Sequence, residues 1–433
     1  MKTKLLYIAI GVLATIHLVM VIPALQHPAS FQTRDSYDYL DLARTFLSTG
    51  RYEGTDYPGA DLIRPPGYPA FLTIGLLIGQ GETGVISLMQ VLLLFATGWL
   101  VYKIFSACGY PNAGLAAVII LLLNPNAAFW SMMLMTETMA GFFIVLGLLC
   151  FVKYWKTSRR RWLFWAGLAL SAGALTRPIV FPLAIAMGIL FFLVEWRRTR
   201  LPGYTLKVTA LFIIGILTLV IPWQLRNQVT HGQFTLSEVG ESTFQNWYVA
   251  QTLASAEGYS RDEASAIIAQ SPNPMRYSLE VIRSYPVVFI KEQARGIMRT
   301  LMGAEYGSWA RAMAGEETTT TGVLSAFLDQ GSPTGVFDAL KTQVTNTWFW
   351  AGMYALIYDV VLFLGVIWGT WKVFRDFRPE VVFNLAALLI VALFYLLIIP
   401  GVAGESRFRV PADPLLALAA GMACLPRRQI KRD

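Results

Sequence analysis

Long apolar segments recur along the whole chain, and they constrain its fold more than any other feature. They lie at about 5–25, 66–79, 84–105, 113–130, 139–155, 162–176, 178–194, 205–224, 352–371, 381–399 and 412–426. A membrane-spanning helix needs about 20 such residues, and about 17 at minimum. Because 55% of the residues are hydrophobic and only 14% are charged, the composition is typical of an all-α polytopic membrane protein and not of water-soluble domains.

Clusters of basic residues between the apolar segments predict the topology. They lie at 2–4, 153–161, 197–200, 372–378 and 427–432. Cytoplasmic loops are enriched in Lys and Arg, and every cluster falls on one side if the short segment 66–79, which follows Pro65-Pro66, does not cross. We therefore predict about ten spans with both termini in the cytoplasm. The net charge of +8 then reflects topology and not a nucleic-acid partner.

The same pattern predicts three parts of the chain. Residues 1–225 form a membrane module with a first outer loop at 26–83, and the N-terminal apolar run is too long for a signal peptide and is interpreted as a retained span. Residues 226–351 form an extracytoplasmic loop or small domain, with helical patterns at about 260–270 and 274–302 and a flexible loop at Thr318–Thr321. Residues 352–433 supply the last membrane helices and a cytoplasmic basic tail.

Asp35 opens a short amphipathic pattern in the first outer loop. Apolar residues recur there at helical spacing, and Gly50 is a plausible helix end. A half-apolar helix that follows a span is suited to lie on the membrane surface. Asp35 is either a helix N-cap or a general base, and both roles are compatible because a helix N-terminus keeps a carboxylate ionised.

Further charged residues lie on the predicted outer face. Glu137 stands at the outer end of an apolar span, where an acid is costly unless it snorkels to water or has a role. Five arginines lie at outer ends of apolar segments, opposite the basic clusters: Arg64, Arg177, Arg226, Arg407 and Arg409. They either contact bulk lipid or bind an anionic headgroup through forked hydrogen bonds. Glu405 is either a salt-bridge partner of Arg407 or a third carboxylate of the site.

Several familiar catalytic patterns are missing from the sequence. It has no Walker-type phosphate loop, no G-x-S-x-G and no H-E-x-x-H. Its three cysteines, Cys108, Cys150 and Cys424, and its three histidines have no metal or disulfide spacing. An activated substrate is therefore expected to arrive through the membrane and not as a soluble nucleotide.

Six short motifs follow one another along the chain, and each contains one of these outer-face residues. They are Asp35-x-x-x-Tyr39, Arg64-Pro65-Pro66-x-Tyr68-Pro69, Thr136-Glu137-Thr138, Thr176-Arg177-Pro178, Pro222-Trp223-x-x-Arg226-Asn227 and Glu405-Ser406-Arg407-Phe408-Arg409. In this order they resemble the bacterial GT-C glycosyltransferases, within these the group related to protein O-mannosyltransferases and to the lipid A aminoarabinose transferase. The resemblance covers about residues 1–425.

The resemblance implies a helical membrane bundle with amphipathic juxtamembrane helices in the first outer loop and a small helical region on the outer face. It implies that Asp35 accepts the acceptor's proton and that Glu137 is the second acid. We predict both as catalytic residues, with Glu137 either orienting the acceptor or helping to bind a divalent metal. The substrate-binding set that we predict holds a polyprenyl phosphate and comprises Arg64, Tyr68, Arg177, Arg226, Glu405, Arg407 and Arg409. Family members usually have a second acid directly after the first, whereas Ser36 follows here, and Asp38 or Asp41 is a candidate substitute.

The predicted function is an inverting transfer of a hexosyl or pentosyl group from a polyprenyl phosphate donor to a hydroxyl acceptor. The acceptor is a glycan, a lipid or a protein, and the site faces the exterior of the bacterial inner membrane. Some family members use a divalent cation, which the sequence leaves open. The alternatives are a transporter or flippase of lipid-linked sugars, which predicts charges near the bilayer midplane, and a non-enzymatic scaffold.

Overall fold

The computed structural model describes residues 2–303, 306–315, 347–376 and 379–426. Within these ranges the chain is helical and has no β-strand. The predicted loop at Thr318–Thr321 and the predicted basic tail from residue 427 onward lie outside them.

The membrane part consists of long helices and a few shorter ones. Its first half comprises α1 (Lys2–Met20), α2 (Ile22–Gln26), α3 (Arg34–Thr49), α4 (Ala60–Ile63), α5 (Gly67–Ile78), α6 (Gly84–Ala107), α7 (Pro111–Leu122), α8 (Pro125–Trp130), α9 (Glu137–Thr157), α10 (Arg161–Thr176), α11 (Val180–Thr199) and α12 (Pro202–His231). The predicted domain boundary after residue 225 therefore falls inside α12.

The second half of the chain contains the predicted outer region, followed by the last membrane helices. It comprises α13 (Val239–Thr243), α14 (Ala250–Glu257), α15 (Arg261–Gln270), α16 (Pro274–Ser284), α17 (Pro286–Met302), α18 (Tyr306–Ala314), α19 (Thr347–Arg375), α20 (Glu380–Ile398) and α21 (Asp413–Gly421). The helical patterns predicted at 260–270 and 274–302 are confirmed, except that Pro286 divides the second into α16 and α17. A small apolar core that includes Val249, Leu253 and Ile268 holds α14–α16 together.

Seven helices among the described residues are long and apolar enough to cross a membrane, where ten spans were predicted. They are Thr3–Gln26, Gly84–Ala107, Glu137–Thr157, Val180–Thr199, Pro202–His231, Thr347–Arg375 and Glu380–Ile398. The other three predicted spans, 113–130, 162–176 and 412–426, contain shorter helices. Segment 113–130 is interrupted because Pro125 cannot continue α7, and Asn124 instead caps α8 by accepting from Ala127 N at 3.1 Å.

The segment 66–79, predicted not to cross, contains the helix α5 of 12 residues. At 1.5 Å per residue it is about 18 Å long, which is well short of a bilayer core of about 30 Å. It packs against α3 and α6 through Tyr68, Leu72 and Ile86. This packing holds the first outer loop against the end of the bundle.

The main core lies between α6, α7, α9–α12 and α19–α21. Helices α10 and α12 approach closely where Gly167 and Gly215 face one another. A Cβ on Gly167 would collide with the Phe212 carbonyl oxygen, and a Cβ on Gly215 with that of Phe164. Small residues let membrane helices approach closely, so these glycines fix the position of α10 and of the loop that follows it.

The ends of the helices fall into two groups. Helix α9 begins at Glu137, and α10 ends directly before Arg177, so both residues lie at one end of the bundle. Helix α11 ends in the basic cluster at 197–200, and Arg198 Nε lies 3.5 Å from Oε1 of Glu380, where α20 begins. The basic clusters described by the structure therefore lie at the end opposite the predicted site residues.

Candidate functional site

Helix α3 carries the first acid of the site in its first turn. The Thr33 N–H donates to Ser36 Oγ at 2.9 Å, and Gly50 ends the helix with φ 73°. Ser36 Oγ also donates to the Leu134 carbonyl oxygen at 2.8 Å, and Ser36 is fully buried. Asp35 thus lies in the first turn of a helix that is anchored to the link before α9, and the helix N-terminus favours its ionised form.

The buried link at 131–136 satisfies its backbone through side chains. Ser87 Oγ donates to the Met132 carbonyl at 2.6 Å, and Gln90 Nε2 donates to the carbonyls of Ser131 at 3.1 Å and Met133 at 2.5 Å. Non-helical backbone that lies within the bilayer region needs hydrogen-bond partners inside the protein. The link that precedes Glu137 is therefore held rigidly.

Two arginines from distant parts of the chain hold the Asp35 carboxylate. Arg64 Nη2 lies 2.8 Å from Oδ1, and Arg407 Nη1 lies 3.2 Å from Oδ2. Arg64 also binds Asp38 Oδ2 at 2.9 Å, and Arg407 Nε binds Glu405 Oε2 at 2.9 Å. We call Asp35, Asp38, Arg64, Glu405 and Arg407 the acid–arginine cluster. The Asp35 side chain is 35% exposed, so solvent reaches the cluster.

The electrostatics of the cluster keep Asp35 ionised. Burial alone raises the pKa of the Asp35 carboxyl, but the charges of Arg64 and Arg407 and their hydrogen bonds outweigh it. The pKa therefore lies below its ordinary value, and Asp35 is a carboxylate at neutral pH.

A buried ion pair lies beside this cluster. Glu137 is fully buried and pairs with Nη1 of Arg177, which also donates to Thr136 Oγ1 at 3.1 Å. The Phe408 ring is in contact with both guanidinium groups. Its centroid lies 5.1 Å from Arg177 Cζ and 4.8 Å from Arg407 Cζ. Phe408 thus joins the pair to the acid–arginine cluster, a contact that the sequence analysis missed.

Arg226 lies next to the cluster with partners of its own. Its Nη2 contacts Asp61 Oδ2 at 2.7 Å, and His231 Nε2 contacts the same oxygen at 2.7 Å. Arg226 Nη2 also donates to the Tyr52 carbonyl at 2.6 Å, and the Tyr52 hydroxyl donates to the Arg64 carbonyl at 2.7 Å. Tyr52 therefore connects Arg226 to the cluster, and no signal in the sequence had paired Asp61 with His231.

Arg409 and Tyr68 are buried away from the solvent-exposed cluster. Arg409 Nη1 lies 2.7 Å from Asp359 Oδ2, and its Nε lies 3.1 Å from Asp413 Oδ1, with all three side chains at most 1% exposed. The Tyr68 hydroxyl donates to Gln90 Oε1 at 2.6 Å. The structure thus brings Asp35, Arg64, Glu405 and Arg407 together, sets Glu137 and Arg177 beside them, and places Arg409 and Tyr68 in the packed interior.

The two candidate substitutes for the second acid differ in position. Asp38 shares Arg64 with Asp35, whereas Asp41 Oδ2 accepts from the backbone N–H groups of Asp56 and Tyr57, each at 3.1 Å. Asp41 therefore orders the loop after α3, and Asp38 is the second carboxylate of the cluster. In the parts of the chain that the structure describes, no three His, Cys, Asp or Glu side chains form a metal-binding group.

Two carboxyl groups in this region predict how stability depends on pH. Burial raises the pKa of Asp61, but hydrogen bonds and charges from Arg226 and His231 lower it below the ordinary value, as happens at Asp35. Such a group stabilises the folded chain fully above its unfolded pKa of about 3.9, and this contribution disappears as the pH falls through the folded pKa. We therefore expect the difference in unfolding temperature between the wild type and Asp61→Asn to shrink as the pH falls from about 5 to about 3. A difference that stays constant would contradict the ion pair.

Comparisons with known proteins agree with this architecture. Residues 63–223 match the family model described as dolichyl-phosphate-mannose-protein mannosyltransferase. No curated protein matches the sequence.

Two solved archaeal structures share the fold of this chain. The archaeal oligosaccharyltransferase AglB from Archaeoglobus fulgidus, in complex with an inhibitory peptide and a dolichol-phosphate, matches with a TM-score of 0.54 and 13% identity over 98% of this chain and 50% of that chain. The apo form of the Archaeoglobus fulgidus oligosaccharyltransferase matches with a TM-score of 0.51 and 13% identity, over 96% of this chain and 50% of that chain. ArnT from Cupriavidus metallidurans bound to undecaprenyl phosphate matches with a TM-score of 0.43 and 15% identity, over 95% of this chain and 77% of that chain.

The chain spans about half the length of the archaeal enzyme, and at this identity the likeness is one of fold. The family match covers the part of the chain that includes Arg64, Glu137 and Arg177. The chain is therefore similar to dolichyl-phosphate-mannose-protein mannosyltransferases over residues 63–223, and it shares the fold of the archaeal oligosaccharyltransferase.

Proposed function

We propose that the protein transfers a hexosyl or pentosyl group from a polyprenyl phosphate donor to a hydroxyl group of an acceptor. The observation that carries this proposal is the Asp35 carboxylate held between Arg64 and Arg407. A carboxylate beside two guanidinium groups supplies a base and an anion-binding site in one place. The family match and the fold support the same reaction class.

The arginines of the cluster would bind the donor phosphate. Without a ligand, the carboxylates of Asp35, Asp38 and Glu405 neutralise them. A phosphate makes forked, charge-assisted hydrogen bonds with guanidinium groups and competes with these carboxylates. The departing lipid phosphate would keep its matched charge, and such electrostatic stabilisation is commonly the largest contribution to catalysis.

Binding of the phosphate would also make Asp35 a stronger base. The charges of Arg64 and Arg407 hold the pKa of Asp35 below its ordinary value, against the effect of burial. When the phosphate takes over their hydrogen bonds, the pKa of Asp35 rises and its affinity for a proton increases. Asp35 would then accept the proton of the acceptor hydroxyl as its oxygen bonds to the anomeric carbon. The bond to the phosphate oxygen breaks on the opposite face, so the configuration inverts.

Glu137 and Arg177 would position the substrates. Glu137 has no exposed surface, so its carboxylate acts from within the protein wall. Arg177 is 15% exposed and presents its guanidinium group beside Phe408. We infer that Glu137 orients Arg177, and that Arg177 contacts the donor phosphate or the acceptor.

The basic clusters support an outward-facing site. Lys and Arg are enriched on the cytoplasmic side of membrane proteins, and the described clusters lie at the end opposite Asp35. We therefore propose that the site faces the exterior of a bacterial inner membrane. The donor lipid would enter from the outer leaflet.

The test is transfer of a radiolabelled sugar from a synthetic polyprenyl phosphate donor by the purified protein in vesicles. A new product between the labelled sugar and an acceptor supports the proposal. A transporter would move the labelled lipid across the vesicle and leave its sugar–phosphate bond intact, and a scaffold would leave it in place. Either result, obtained with an acceptor mixture of glycans, lipids and peptides, would overturn the proposal.

Replacing Arg407 by Met is expected to raise the KM for the donor. A hydrogen bond to a charged group contributes about 1.5–3 kcal/mol, which corresponds to an increase of about 10- to 100-fold. Initial rates at varied donor concentration measure the effect. Arg159→Met is a control, because Arg159 is exposed and lies in the basic cluster at the opposite end of the bundle. Equal donor KM values for the wild type and Arg407→Met would contradict the phosphate-binding role.

A further inference from the structure

Helix α17 exposes its apolar side chains. Val287, Ile290, Lys291, Ala294 and Met298 recur at a spacing of three or four residues and are all exposed. The exposed fraction is 76% for Val287 and 66% for Ile290. This exposed face is therefore apolar, with one basic residue. On a water-soluble domain the exposed face of a helix is polar.

The opposite face of α17 carries small and polar residues. Glu292, Gly296 and Thr300 are buried there. A Cβ on Gly296 would collide with the Gly401 carbonyl, and a Cβ on Gly404 would collide with the Gly296 carbonyl. The backbone of α17 thus lies directly on residues 401–404, the segment between α20 and the Glu405 of the acid–arginine cluster.

The position of this segment places α17 at the membrane boundary. Helix α20 is one of the seven helices able to span the membrane, and it ends at Ile398. Residues 401–404 therefore lie where the hydrocarbon core of the bilayer ends. Because α17 packs against this segment and against α19 and α20, its exposed face is at the depth of the lipid headgroups.

Helix α16, which directly precedes α17 and packs against it, also exposes apolar side chains. Its Met275 and Leu279 are exposed, and Leu279 is 57% exposed. Arg276 and Arg283 are exposed next to them. Exposed apolar side chains flanked by basic ones match the boundary between acyl chains and anionic headgroups, and long basic side chains reach from apolar surface to the headgroups.

We propose that α16 and α17 form an interfacial element, whose exposed apolar face rests in the outer leaflet of the bilayer that the spans cross. The ligand of this face is the lipid bilayer. Through Gly296, the element supports residues 401–404 and so holds the segment that carries Glu405 and Arg407. This inference concerns how the protein sits in the membrane and does not depend on the proposed reaction.

The experiment places an environment-sensitive fluorophore on the full-length protein in vesicles of phosphatidylcholine and phosphatidylglycerol. Ile290→Cys and Leu279→Cys carry the probe on the proposed face, and Asp262→Cys carries it on an exposed polar turn of α15. The wild-type chain, labelled in parallel, corrects for Cys108, Cys150 and Cys424. Nitroxide lipids with the quencher near the headgroup report proximity to the bilayer.

We expect emission at shorter wavelength and stronger quenching at residues 290 and 279 than at residue 262. Water-like emission at both residues 290 and 279, with quenching no stronger than at residue 262, would overturn the proposal. If one of the two labelled variants does not fold, the other decides. None of these readouts requires transfer activity, so failure of the proposed reaction leaves the result interpretable.

Discussion

An Asp35→Asn variant is expected to lose sugar transfer by about 10²- to 10⁴-fold in kcat, the range that general base catalysis contributes. Asn has nearly the same shape as Asp, and its single amide oxygen can still accept a hydrogen bond from Arg64 or from Arg407. It cannot accept the acceptor's proton. The donor KM should stay the same or decrease, because the arginines lose a competing negative charge. Initial rates with varied donor and saturating acceptor separate the two parameters.

Asp38→Asn is the matched control for this experiment. Asp38 also neutralises Arg64, at 2.9 Å, but has no contact with Arg407 among the ion pairs of the described residues. Its replacement changes the charge of the cluster by the same amount without removing the proposed base. If Asp38→Asn lost as much kcat as Asp35→Asn, the loss would follow from charge alone. If instead only Asp38→Asn were inactive, Asp38 would be the base.

An Arg409→Met variant should show the largest loss of stability. Asp359 and Asp413 lie in the interior with at most 1% of their side chains exposed, and both pair with Arg409. Removing one partner of a buried ion pair costs about 3–5 kcal/mol, because the remaining charge is uncompensated. A lower unfolding temperature in detergent, together with a smaller yield of monodisperse protein, measures this loss. Adding Asp359→Asn should restore part of it.

Arg407→Met is the contrasting variant, two residues away. The Arg407 side chain is 17% exposed and its partners Asp35 and Glu405 are more exposed still. Exposed ion pairs contribute about 0–1 kcal/mol, so the unfolding temperature should change little while the donor KM increases. Wild-type stability with reduced donor affinity in Arg409→Met would show instead that Arg409 binds substrate, as the sequence analysis predicted.

The difference between Arg407 and Arg409 also shows where prediction from sequence reaches its limit. Both arginines follow α20 in the same short motif, and the basic clusters at the opposite helix ends placed both on the outer face. A single turn of 3₁₀ helix at Ser406–Arg409 directs one side chain to Asp35 and the other into the core. Loop residues have no apolar periodicity from which such a direction can be deduced.

Other parts of the site were more accessible to prediction. Topology and the ordered motifs brought Asp35, Arg64, Glu137, Arg177 and Arg407 to one end of the bundle. The pairs that they form could not be deduced, because their partners lie up to 372 residues apart.

One signal was overlooked. Asp359 lies inside an apolar segment, and an acid in a spanning helix indicates a buried partner. Its contact with Arg409 then depends on how α19 and α21 pack.

The hydroxyl group of Ser36 has a consequence for the charge pattern of this protein. It donates to the Leu134 carbonyl oxygen, and Ser36 itself has no exposed surface. An ionised Asp or Glu at position 36 would place its negative oxygens against the Leu134 carbonyl oxygen. It could not donate the hydrogen bond that joins α3 to the link before Glu137. The second negative charge stands instead at Asp38, three residues and about one helical turn after Asp35. The buried Ser36 thus leaves Asp38, the next acid along α3, to supply the second carboxylate beside Arg64.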